Sequence, residues 1–120
     1  MPIHAAKVTE ESIQKTVFDA LRKCGAKSLL AWHPKNGGPH QMTIGQRINN
    51  HKLGVLSGIA DVHILHKGQF YCLELKTLEG KESAGQQWIR AAMTEAGADC
   101  HVAYGIDDAL AYLRFQGLLR

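Results

Sequence analysis

Two apolar-rich runs, residues 61–66 (DVHILH) and 69–77 (QFYCLELKT), are separated only by Lys67-Gly68, so the middle of the chain reads as a β-hairpin with a two-residue turn. Strand periodicity sorts the second run: Tyr71, Leu73 and Leu75 share one face, and Phe70, Cys72, Glu74 and Lys76 share the other. Glu74 and Lys76 are therefore neighbours on one surface of a largely apolar strand. A Glu-x-Lys pair alone is an ordinary same-face ion pair. Its meaning depends on what the fold brings beside it.

Residues 8–25 read as a helix: Thr9 is its N-cap, Glu10 and Glu11 favour the first turn, and Gly25 suits the position after the last. At about 100° per residue, Ile13, Val17, Ala20, Leu21 and Cys24 form an apolar face, with Glu10 along its middle and Glu11 toward solvent. Residues 28–33 (SLLAWH) form a first strand that Pro34 stops. Residues 34–52 carry Asn36-Gly37-Gly38-Pro39 and little periodicity, which predicts a long functional loop. Residues 53–60 (LGVLSGIA) approach a strand through two glycines, and residues 61–66 continue it. Beyond the hairpin, residues 78–82 are a polar loop and Ser83 N-caps a helix over 84–96 stopped by Gly97. Residues 99–104 (DCHVAY) are a last strand, and a helix over 107–115 closes the chain. Helix, three strands, helix, strand, helix is the order of one α/β domain, and 120 residues suit a single domain with one modest core.

The 14 Lys and Arg against 11 Asp and Glu give a net charge of +3 that says little until it is located. No acid lies between Asp19 and Asp61, an interval that holds Arg22, Lys23, Lys27, Lys35, Arg47 and Lys52, whereas acids outnumber bases afterwards. A basic first half is suited to following a phosphate backbone. Cys24, Cys72 and Cys100 are odd in number, widely spaced and never in a C-x-x-C pair, which argues against a disulfide scaffold or a zinc knuckle. The N-terminus has no basic-then-apolar signal, and no run approaches the roughly 18 apolar residues of a membrane span. The expectation is a cytoplasmic, intracellular protein with no membrane partner.

Asp61 gives Glu74 and Lys76 a chemical setting. It opens the first hairpin strand after Gly58-Ile59-Ala60, whose small residues let backbone or ligand approach closely, and strand pairing sets it alongside Glu74. Two carboxylates beside a lysine suit a hard divalent cation and an attacking water, and a cation offsets the repulsion of two like charges. Glu10 and Gln86, the latter bordering an apolar face of Ile89, Ala92, Met93 and Ala96, would complete the pocket, while Gln87 points outward. His63 and His66 fall on opposite strand faces, which argues against a shared metal; His63 lies on the face of Asp61. Trp32, Trp88 and Tyr104 are expected in the core rather than stacked on bases.

The succession Glu10 to Gln14, Asn36-Gly37-Gly38, Gly54-x-x-x-Gly58-x-x-Asp61, Glu74-Leu75-Lys76 and Ser83-x-x-Gln86 resembles the VRR-NUC domain, a branch of the PD-(D/E)XK nuclease superfamily, over residues 9–113. Gly-Ile-Ala-Asp stands where the superfamily is named for Pro-Asp. The resemblance implies a restriction-endonuclease-like αβββαβ core with a mixed sheet flanked by helices. It also implies a Mg²⁺- or Mn²⁺-dependent endodeoxyribonuclease, similar to the small stand-alone, often phage-encoded members that cut branched DNA such as four-way (Holliday) junctions.

Carried over by position, Asp61, Glu74 and the backbone carbonyl of Leu75 resemble the metal ligands, and Lys76 the residue that positions or activates the water. Glu10 resembles the helical glutamate, with Glu11 as the alternative register, and Gln86 the glutamine that supports the water or lysine. Lys35, Arg47 and Lys52 are the candidates to hold the DNA backbone, and Asn36, Gly37 and Gly38 could present N–H groups to a phosphate. With no base-reading module, DNA shape is the expected determinant, and a homodimer the expected working form. The competing reading is an inactive DNA-binding or assembly module on the same fold.

Overall fold

The computed structural model describes residues 7–34 and 43–120. Its elements are α1 (Glu10–Cys24), β1 (Leu30–Trp32), α2 (Ile44–Lys52), β2 (Val62–His66), β3 (Gln69–Lys76), α3 (Ala84–Glu95), β4 (Asp99–Tyr104) and α4 (Ile106–Phe115). The first three helices each start at a reciprocal capping box, Thr9 with Ser12, Thr43 with Gln46 and Ser83 with Gln86, which satisfies N–H groups that a helix start leaves without partners.

The strands form one mixed sheet in the order β1-β2-β3-β4, in which β1–β2 and β2–β3 are antiparallel and β3–β4 is parallel. A parallel neighbour needs a crossover, and α3 supplies it. One face of the sheet packs Val62, Ile64, Leu73, Leu75 and Ala103 against Ile13, Val17 and Leu21 of α1 and Leu113 of α4. The other face carries α3, of which only Ile89 is buried. Sandwiched between layers, β3 is buried on both faces from Tyr71 to Lys76, so its two charged residues lie inside the fold.

This is the α/β architecture expected, with one addition. The span 34–52 is not all loop, because Thr43 caps the helix α2, and residues 53–60 form no strand. None of the α2 residues is buried, and the helix makes no extensive contact with any other element. It stops where Leu53, Gly54 and Val55 donate back to the carbonyls of Asn49, His51 and Asn50. The aromatic expectation also fails in part. Trp88 is 69% exposed and Tyr104 is exposed, while Trp32 is half-buried, edge-on to His63 and beside Phe70. On α3 the expected stripe is incomplete, since Ala92 and Ala96 are exposed: the helix covers only part of the sheet. No helix among the described residues is long and apolar enough to cross a membrane.

Candidate active site

The site is built where β2 begins. Gly58 has φ +78°, and a Cβ there would lie 2.9 Å from the backbone carbon and oxygen of Gly85. Only glycine combines that conformation with that approach, and the contact seats the start of α3 against the chain entering β2. Asp61 then faces Glu74 across the hairpin, one step beyond the Val62–Leu73 pair. Its Oδ2 accepts the Leu75 N–H at 2.9 Å, in the place of a backbone carbonyl where the β2 ladder ends.

Glu74 is the centre of the arrangement and is only 5% exposed. The Gln86 side chain holds it: Gln86 Oε1 accepts the Ser83 N–H at 2.8 Å as part of the helix cap, which turns Nε2 outward to donate to Glu74 Oε1 at 3.0 Å. The Lys76 ammonium, also buried, lies 3.8 Å from Glu74 Oε1 and 3.7 Å from Glu10 Oε1. Burial pushes the Glu74 carboxyl up to about 8, helped by the Asp61 charge and a hydrogen bond to Asp61; Lys76 opposes the shift and Glu10 adds to it.

Two carboxylates, Glu10 and Glu74, thus share one ammonium with Asp61 facing Glu74, and a proton on Glu74 relieves part of the crowding. A cation would relieve it more fully. No three His, Cys, Asp or Glu side chains among the described residues form a ready-made metal cage. Two facing carboxylates, with backbone carbonyl and water oxygens to complete the shell, nevertheless fit Mg²⁺ or Mn²⁺, which keep several waters and bind through one or two carboxylates. A soft ion finds nothing to favour it in this donor set.

Asp61, Glu74, Lys76, Gln86 and Glu10 are therefore joined by direct contacts. Glu10, at the exposed end of the core-facing stripe of α1, reaches the buried Lys76, in the direction expected of it, whereas Glu11 turns away to pair with Lys15 at 3.2 Å. Arg47 and Lys52 are exposed on α2, a helix where a loop was expected. Lys35, Asn36, Gly37 and Gly38 lie outside the described residues.

One residue at the site was missed. His33 Nδ1–H donates to the Asp61 carbonyl at 2.6 Å, a contact that no motif spacing announces. Behind Glu74, between α3 and the sheet, a cavity of about 40 Å³ is lined by Gly58, His63, Cys72, Gln86, Met93 and Cys100. Burial, and then the nearby His33, lower the His63 pKa, and its Nε2 has no hydrogen-bond partner among the described residues. Burial likewise pushes the Cys72 thiol up to about 12, with Cys100 beside it, so it is an inert lining group.

No family model matches the sequence, and no curated protein matches it. Among solved structures the chain is similar to one described as a "VRR_NUC domain protein", with 18% identity and a TM-score of 0.70, over 92% of this chain and 89% of that one. At that identity the likeness is one of fold, and the fold is that of the VRR_NUC domain.

Proposed function

We propose, with that fold as the premise, that this domain is a metal-dependent DNA endonuclease that hydrolyses phosphodiester bonds, selectively in branched DNA such as four-way junctions. The observation that carries the reading is the buried Glu74 carboxyl, set against Asp61, oriented by Gln86 and flanked by Lys76. A structural ion pair has no use for a second facing carboxylate, and a site that only holds DNA gains nothing from acids turned toward phosphate.

Asp61, Glu74 and the Leu75 carbonyl would hold Mg²⁺ or Mn²⁺, which would supply Lewis-acid stabilisation of charge on the phosphoryl oxygens. Strand geometry favours the carbonyl as a ligand: the Leu75 N–H points to Asp61, and in a strand the carbonyl of the same residue turns to the same side. Lys76 would hold the attacking water in line with phosphorus and keep a fixed positive charge beside the developing one. Glu10 restrains the ammonium, and Gln86 keeps the Glu74 carboxylate from rotating away.

DNA would be held by its backbone. Arg47 and Lys52 on α2, with Lys35 and the amides of Asn36, Gly37 and Gly38, would meet phosphates, and branch shape would select the substrate. A homodimer would present two such sites to a symmetric junction. Support for pairing comes from Ile44, Ile48, Leu53, Val55 and Leu56, all exposed on α2 and the turn that follows, an aliphatic surface that the described residues do not cover.

The test is cleavage of labelled four-way junction, flap and linear duplex in Mg²⁺, Mn²⁺ or EDTA, alongside Lys76→Ala. Metal-dependent cutting of the junction in preference to the duplex, lost in Lys76→Ala, is expected. No metal-dependent cutting of any substrate would refute the enzyme, and equal cutting of linear duplex would refute the selectivity.

A further inference from the structure

The register of β1 on β2 runs Leu30↔Leu65, Ala31↔Ile64 and Trp32↔His63, so continuing it by two residues sets Pro34 opposite Asp61. In an antiparallel pair, facing residues alternate between exchanging both backbone hydrogen bonds and exchanging none. The Asp61 carbonyl is turned toward the β1 side, where His33 meets it, so residue 34 is the one whose N–H would ordinarily bond it. Proline has no N–H to give. The His33 ring takes over: because a carbonyl only accepts, Nδ1 must carry the proton, and the bond is 2.6 Å long.

On its other side Asp61 is held just as irregularly, its own Oδ2 standing in for a strand acceptor to Leu75. Asp61 is thus gripped from both neighbouring strands by side-chain hydrogen bonds. A main chain free to shift at residue 61 would carry the carboxylate away from Glu74.

We propose that His33 is a positioning residue for the divalent-metal site: by replacing the backbone donor that Pro34 lacks, it fixes the Asp61 main chain and so sets the carboxylate's aim. The inference rests on Asp61 being a metal ligand, as proposed above. His33 is exposed, so removing its ring opens no cavity in the core. The conservative replacement is His33→Asn, whose Nδ2–H lies close to where Nδ1–H is.

The experiment measures Mn²⁺ binding through the loss of the free-ion electron paramagnetic resonance signal. It compares the wild type, His33→Ala, His33→Asn and His33→Ala with Pro34→Ala, and records the melting midpoint of each without metal. Loss of a supporting hydrogen bond weakens metal affinity by about tenfold or more, so His33→Ala should bind Mn²⁺ at least about tenfold more weakly while its metal-free midpoint falls by no more than about 5 °C. His33→Asn should bind within about threefold of the wild type, and Pro34→Ala, which supplies the missing N–H, should recover part of the loss in the His33→Ala background. Equal Mn²⁺ affinity in wild type and His33→Ala, or no recovery from either replacement, would overturn the proposal. A wild-type chain that binds no Mn²⁺ would refute the metal reading itself.

Discussion

Glu74→Gln separates the charge of the central carboxyl from its shape. The amide keeps an oxygen to accept from Gln86 Nε2 but never ionises. In the wild type, burial and the Asp61 charge raise the Glu74 carboxyl from 4.5 to about 8. A carboxyl whose pKa is higher in the folded than in the unfolded chain holds its proton more tightly in the fold. Its favourable contribution is complete below about 4.5 and is lost as the pH rises through about 8. At 1.36 kcal/mol per pH unit of displacement, the stability of the wild type relative to Glu74→Gln should fall by about 4 kcal/mol between pH 5 and pH 9 in EDTA. With a urea slope near 2 kcal/mol/M, that is a relative midpoint change of about 2 M. Taking the difference between the two proteins cancels the other titrating groups. Saturating Mn²⁺ should flatten the wild-type dependence and leave Glu74→Gln unmoved, and the variant should not cleave DNA. A gap between the two proteins that stays constant across this pH range would refute the electrostatic account of the site.

Gly58→Ala should destabilise the fold by about 2 kcal/mol or more and reduce cleavage with it, since a Cβ there meets the Gly85 backbone at 2.9 Å in a conformation with φ +78°; urea unfolding checks the first and a junction assay the second. Gln86→Glu keeps a residue able to complete the Ser83 capping box but sets another carboxylate against Glu74, so helix content by circular dichroism should hold while cleavage is lost. Leu73→Ala, in the centre of the core, should cost about 2–5 kcal/mol in urea unfolding. Ile44→Ser with Ile48→Ser, both exposed on α2, should convert the proposed dimer to a monomer by sedimentation while lowering the domain's own unfolding free energy by no more than about 0.5 kcal/mol.

The carboxylates were legible because strands alternate: period two set Glu74 and Lys76 on one face, and the two-residue turn fixed Asp61 opposite Glu74. Gly58 was legible as a point of close approach, though not what it approaches. Helix α2 escaped detection because its apolar residues are not buried among the described residues and leave no stripe with a visible purpose. The readable signal was Thr43-x-x-Gln46, the same capping box as Ser83-x-x-Gln86. Trp88 shows the limit of composition: a helix can carry a large ring on the side that the sheet does not reach. The helical wheel gave the directions of Glu10, toward Lys76, and of Glu11, toward solvent, but not that the first turn stays exposed beyond the edge of the sheet. His33 depends on a register and on a proline two residues past the end of that register, and neither is visible until the strands are paired.

The crossover through α3 also fixes when the acidic site can exist. Asp61, Glu74 and Lys76 belong to a hairpin closed by a two-residue turn, a contact between near neighbours that forms early in folding. Gln86 arrives only when α3 docks and β4 completes its parallel pairing, a later and longer-range event. Partly folded or nascent chains should therefore carry the acids and the lysine without the clamp that aligns them, and pulse-labelled hydrogen exchange should protect the β2–β3 amides before those of β4. Simultaneous protection of both would refute that order. A site assembled in this sequence stays incomplete until its last element closes.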